Sequence, residues 1–108
     1  MNTSRDIRPR LLRLAAVDNV CAVTGTVEAG QSLEFEGRPI RFLDRVPTGH
    51  KVAVVAIARG EKVRKWGAPI GSATRDIQPG EHVHTHNLQS DYLPTYTLDQ
   101  SNAYLKGP

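Results

Sequence analysis

Residues 57–88 read IARGEKVRKWGAPIGSATRDIQPGEHVHTHNL, and two features of this stretch decide how the chain folds. The first is a turn pattern: apolar, any, any, Gly, polar, any, apolar. It occurs here as IARGEKV from Ile57 and IQPGEHV from Ile77, and upstream as VEAGQSL from Val27 and VPTGHKV from Val46. Glycine between two apolar positions fits a type I turn with the glycine in the left-handed region, a common hairpin connection, and Pro47 and Pro79 pre-set the geometry. The apolar flanks are expected to drop into the core. The second feature is the row His82, His84 and His86 at two-residue spacing. Alternate side chains of a strand share a face, so the three imidazoles are expected to point the same way.

Outward from this stretch, the turns separate short β-like runs at residues 11–17, 20–27, 32–35, 40–42, 51–57 and 81–88. Val52, Val54, Val55 and Ile57 mark 51–57 as the buried strand. Gly67 and Gly71 bracket Ala68, Pro69 and Ile70 as another tight corner. No segment carries a long helical period with caps, and only residues 18–24 have the pattern of a helical turn. The expected class is all-β, with short bent strands joined by glycine turns and an extended C-terminal tail; the pairing order stays open. The division expected is a body of residues 1–88 and a tail of residues 89–108. Tyr92, Tyr96 and Tyr104 suit that tail to docking on a partner, with a loosely ordered terminus as the alternative, and Pro94 argues against a central strand.

The bulk numbers fit one folded domain: 108 residues, 39% hydrophobic and 23% charged. No run approaches the roughly 18 apolar residues of a membrane span, and the arginine-bearing start lacks the apolar core of a signal peptide. The single cysteine, Cys21, excludes an intramolecular disulfide and fits a reducing compartment, so a cytoplasmic location is expected, with Cys21 inert in its apolar run. A net charge of +3 and a pI near 9.4 serve solubility or an anionic partner. The densest basic group, Lys62, Arg64 and Lys65, lacks the interleaved aromatics of a base-stacking platform, so no nucleic-acid partner and no membrane are expected. Phosphate loops, paired-cysteine metal sites and nucleophile elbows are missing.

Among the histidines, same-face neighbours on a strand lie roughly 6.5–7 Å apart at the backbone. His84 with His86 is the better metal pair, with a third ligand from elsewhere; the alternative is a solvated or substrate-contacting row on an edge strand. Gly49-His50-Lys51 presents an imidazole and an ammonium at one turn, either to an anionic ligand or to water. Arg75 and Asp76 read as a local ion pair. Trp66 reads as a core or interface anchor.

The segment from Gly49 to Leu88 resembles the amino-terminal domain of the altronate and galactarate dehydratases, the UxaA family. The resemblance is carried by Gly49-His50-Lys51, Gly60-Glu61-Lys62-Val63, Gly67-Ala68-Pro69-Ile70-Gly71, Ala73-Thr74-Arg75-Asp76-Ile77 and the run Gly80 to Asn87, with Asp18-Asn19-Val20 matching an early motif. It implies a SAF-type β-clip domain, made in that family either as the front of a larger protein or as a separate small subunit. Ending at Pro108, this chain is expected to be the separate form. The implied reaction is removal of water from a sugar acid with a divalent metal, Fe2+ or Mn2+, held mainly by a large catalytic subunit; some relatives split sulfite from sulfolactate. The residues expected to take part are His50 and Lys51 in catalysis, His50, Lys51, Arg75 and Asn87 in substrate binding, and His84 and His86 as metal ligands. A stand-alone carbohydrate- or anion-binding module is the competing expectation.

Overall fold

The computed structural model describes residues 8–91; the tyrosine-bearing tail from Tyr92 onward lies outside them. All regular elements among the described residues are strands, and every pairing is antiparallel. The spine is a four-stranded sheet in the order β1 (Leu11–Leu12), β2 (Val20–Val23), β5 (Lys51–Ala53), β8 (His82–Val83). A hairpin of β3 (Ser32–Phe35) and β4 (Arg38–Arg41) stands on one side. The other side carries β6 (Lys62–Lys65), β7 (Ala68–Ala73) and β9 (Leu88–Gln89).

The pair β2–β5 explains the two unalternated runs VCAV and VAV. Cys21, Val23, Val52 and Val54 face a core shared with Phe35, Ile40 and Phe42 of the first hairpin region. Val20 and Ala53 face the opposite core with Val63, Ala73 and Val83. A strand buried on both faces needs apolar residues at every position. Each fully covered valine or isoleucine contributes roughly 1.5–3 kcal/mol, so these two layers are the main cohesive term.

The fourfold motif is a structural unit, and its glycine adopts another turn than expected. In each copy the residue after the glycine closes back three positions: Gln31 to Glu28, His50 to Pro47, Glu61 to Ala58, Glu81 to Gln78. The glycine is thus third in the turn at φ +82 to +91, which is the type II arrangement rather than type I. These turns do not join paired strands. Each instead docks on a residue in or next to a distant strand: the amides of Gly30, Gly49, Gly60 and Gly80 donate to the carbonyls of Phe42, Val23, Ala73 and Ala53. The flanking Val27 pairs with Val46 and Ile57 with Ile77, and all four are buried as expected.

The true hairpin turns are Glu36–Gly37 and Trp66–Gly67, where both residues of each pair have positive φ, as a two-residue type I′ connection requires. Of residues 67–71, expected as a corner, Gly67 completes the second turn and 68–71 run in strand β7. Residues 18–24, given room for a helical turn, hold β2. Asp18 and Asn19 ahead of it clasp the second hairpin. The buried Asp18 carboxylate accepts the amides of Trp66 and Gly67, each at 2.8 Å. The Asn19 side chain accepts the Arg64 amide and donates to the Lys62 carbonyl, where the β6–β7 register shifts. The expected body limit at Leu88 falls inside β9. The body runs on to Asp91, whose carboxylate takes Lys62 and Ser72.

Candidate functional site

Three of the four turns share a local staple. The side chains of Gln31, Glu61 and Glu81 reach back and accept the amide three residues earlier, at Glu28, Ala58 and Gln78. The copy at residues 46–52 has Pro47 at that position, and proline has no N–H to satisfy. Its post-glycine residue is His50, whose ring turns elsewhere. The sequence has lifted the stapling role from the one turn that carries an imidazole.

That ring meets the far end of the chain. Lys51 pairs with Val83 and Val52 with His82, so one further step along the register sets His84 opposite His50. His50 Nδ1 lies 3.0 Å from His82 Nε2. The ring centroids are 4.9 Å apart for His50 and His84, and 5.6 Å for His82 and His84, which are nearly parallel. One nitrogen from each of His50, His82 and His84 falls within 4.8 Å of the others. His86 lies beside His82, at 5.5 Å between centroids, outside this group.

The compactness arises because the expected strand 81–88 breaks. Regular pairing ends at Val83, and residues 84–87 form a turn in which the amides of Asn87 and Leu88 both donate to the His84 carbonyl. Asn87 is fully buried. Its side-chain oxygen accepts the His84 amide and its nitrogen donates to the His82 carbonyl, both at 2.9 Å. The His82 amide in turn donates to Asp44. The backbone between the two imidazoles is therefore held by two side chains.

Electrostatics favour the neutral form of His82 and His84. Desolvation first, then His50, His86 and His84, hold His82 below the ordinary imidazole value, with Asp44 opposing. For His84, desolvation and then Lys51, His50 and His86 act in the same direction. Burial, then Lys65, lowers Lys51. Neutral imidazole is the form that ligates a metal, and ring nitrogens from three histidines at this spacing suit a divalent first-row ion. Bonds of about 2.1 Å allow roughly 4.2 Å across an ion, so closing on one needs a small inward turn of the exposed His84. Three clefts among the described residues, formed by residues 8–11 with 32–34, by 32–34 with 37–39 and around 56–58 with 76–78, contain none of the histidines.

The family profile of the altronate/galactarate dehydratase SAF domain matches residues 9–91. The chain belongs to this family. The SAF domain is 34% identical over 80 residues to an altronate dehydratase of Bacillus subtilis and 35% identical over 80 residues to one of Escherichia coli. Each match covers 74% of this chain and 16% of the relative. It is 40% identical over 70 residues to the (2R)-sulfolactate sulfo-lyase subunit alpha of Chromohalobacter salexigens, covering 59% of this chain and 74% of that one. The chain thus spans a small part of the dehydratases it matches and most of the sulfo-lyase subunit.

Within the SAF domain the other expected site residues fall as follows. Lys51 adjoins His50 and is half-buried. Arg75 is exposed and meets Glu81 at 3.7 Å rather than Asp76, which accepts the Arg59 amide. Asn87, expected at the substrate, has both ends of its side chain engaged by backbone and no exposure. Trp66 is 53% exposed, so it is no core residue, and the Lys65 ammonium stands 4.2 Å from its ring centre. His82, left out of the expected metal pair, belongs to the cluster together with His50, expected as a catalytic and substrate-binding residue. The signal available in the sequence was that His50 and His82 occupy the fifth and sixth positions of two copies of one motif.

Proposed function

We propose that this chain is the small subunit of a metal-dependent sugar-acid dehydratase, a cytoplasmic hydro-lyase of the altronate/galactarate type. On this reading it supplies one wall of an active site whose remaining walls belong to a large catalytic subunit. The observation that carries the reading is the group His50, His82 and His84: three imidazoles brought together at the ends of two paired strands. Such a cluster is chemically incomplete. A dehydratase needs a base for the proton alpha to the carboxylate, a stabiliser for the charge that builds there, and an acid for the departing hydroxyl.

His50, His82 and His84 are the residues of this chain that would hold a divalent ion, Fe2+ or Mn2+, with the remaining ligands from the large subunit. Such an ion supplies Lewis-acid stabilisation of the developing carboxylate charge. Lys51, flanking His50, is suited to receive the substrate carboxylate as a compact cation. His86, beside His82 and exposed, is free to move protons at the open edge. The lowered basicity of His82 and His84 keeps them as donors to an ion near neutral pH rather than as imidazolium groups.

A second reading replaces hydroxide by sulfite as the leaving group. Its support is length: this chain covers 74% of a sulfolactate sulfo-lyase subunit alpha but 16% of the dehydratases. One experiment separates the readings. The tagged chain is recovered from its native cells with its stoichiometric partner, supplied with Fe2+ or Mn2+, and assayed on aldonic acids, aldaric acids and sulfolactate. Dehydration of a sugar acid is expected. Sulfite release alone favours the second reading, and recovery of the chain without a partner overturns both.

A further inference from the structure

We propose that Asn87 is the positioning residue of the histidine cluster, setting the distance between the His82 and His84 rings from inside the protein. A regular strand would continue past Val83 and carry its same-face side chains along a line, roughly 6.5–7 Å apart at the backbone. Here the chain folds back at once, and the cause is local. The Asn87 carboxamide bridges the two backbone groups on either side of Val83, accepting from the His84 amide and donating to the His82 carbonyl. Its own amide donates to the His84 carbonyl and its own carbonyl accepts the Thr74 amide. Every polar group of this fully buried residue is therefore engaged: three hydrogen bonds close the histidine turn on itself, and the fourth ties it to Thr74 at the end of strand β7.

The bridge needs an acceptor and a donor on one short side chain. Aspartate keeps the acceptor for His84 and loses the donor for His82; alanine loses both and leaves buried backbone groups unpaired. Residues that orient metal-binding histidines from behind typically change metal affinity by about 10–100-fold when replaced. The functional consequence rests on reading the cluster as a metal site; the geometric role does not.

The test uses the full chain and Co2+ as the probe, with uptake followed by visible absorption. Asn87→Asp and Asn87→Ala are expected to weaken Co2+ binding by about 10–100-fold, with alanine worse. Ile40→Ala, in the core layer of the other hairpin, is expected to lower the melting temperature while leaving Co2+ affinity unchanged, which separates positioning from general stability. Folded Asn87 variants that bind Co2+ as tightly as the parent overturn the proposal. If the parent itself takes up no Co2+, the metal reading falls, and positioning is then judged in the metal-free chain by the ring resonances of His82 and His84. Asn87→Asp is expected to shift both sets; unchanged resonances overturn the proposal.

Discussion

His50 Nδ1 and His82 Nε2 stand 3.0 Å apart although 32 residues separate them in the chain. Such a contact holds when one ring donates and the other accepts, and it turns repulsive when both are protonated. The metal-free protein should therefore lose stability in mild acid. His82 and His84 have folded pKa values below the ordinary 6.5, so the unfolded chain binds more protons than the folded one below that pH. Their contribution is complete above 6.5 and is lost as pH falls from there through the depressed folded values. Urea titrations of the metal-free chain at neutral pH and at mildly acidic pH should show the midpoint falling with pH; a midpoint that holds or rises excludes the mechanism.

Two glycines of the repeated turn should respond very differently to alanine. A Cβ at Gly80 would lie 2.0 Å from the Arg41 carbonyl oxygen, while one at Gly49 would meet nothing within 4 Å. Both have positive φ, so both pay the left-handed penalty of roughly 1–2 kcal/mol. Gly49→Ala should stop near that figure. Gly80→Ala must also displace backbone, and should cost several kcal/mol or prevent folding, as read by thermal unfolding.

Asp18 should prove a structural anion. Burial pushes its carboxyl up, but amide donors from Gly67, Trp66, Ala15 and Leu14 outweigh that and hold it below its ordinary value. Asp18→Ala leaves the amides of Trp66 and Gly67 without their acceptor and should cost about 2–3 kcal/mol. Asp18→Asn, which keeps a single acceptor oxygen, should cost less. Equal stability of Asp18→Ala and the parent in chemical denaturation would rule out the clasp.

Cys21 should be silent in the native state. It is fully buried within strand β2, and burial raises its thiol to about 11. A disulfide reagent at neutral pH should label it only at the rate of unfolding, and immediately in denaturant. Fast native labelling would show that the core layer around Val52 opens.

Much of this architecture is legible in the sequence because the turn motif carries its own physics. Glycine at positive φ recurs in all four copies, the apolar flanks are buried in each except for the half-buried Leu33, and strand 32–35 falls where its pattern says. The hairpin turns were harder to see. Glu36–Gly37 and Trp66–Gly67 occupy a conformation that asparagine or aspartate before glycine would have announced, and here Asp18 holds the second one from a distance. The site was half legible. Histidine spacing pointed to the segment that carries two of the three clustered imidazoles, but a strand period cannot reveal that regular pairing stops at Val83 beside the Asn87 bridge, nor that His50 meets His82. The first is a local hydrogen-bond pattern that residue spacing does not encode; the second is a tertiary fact, created by register between strands remote in the chain.

The proline at position 47 has a wider consequence. With four near-equivalent corners, the scaffold has redundancy: three corners keep their staples while the fourth diverges. Relocating such a cluster by protein engineering would thus call for a paired exchange at the recipient corner, proline in place of the amide donor and imidazole in place of the staple. Either change alone would leave a dangling group or an idle ring.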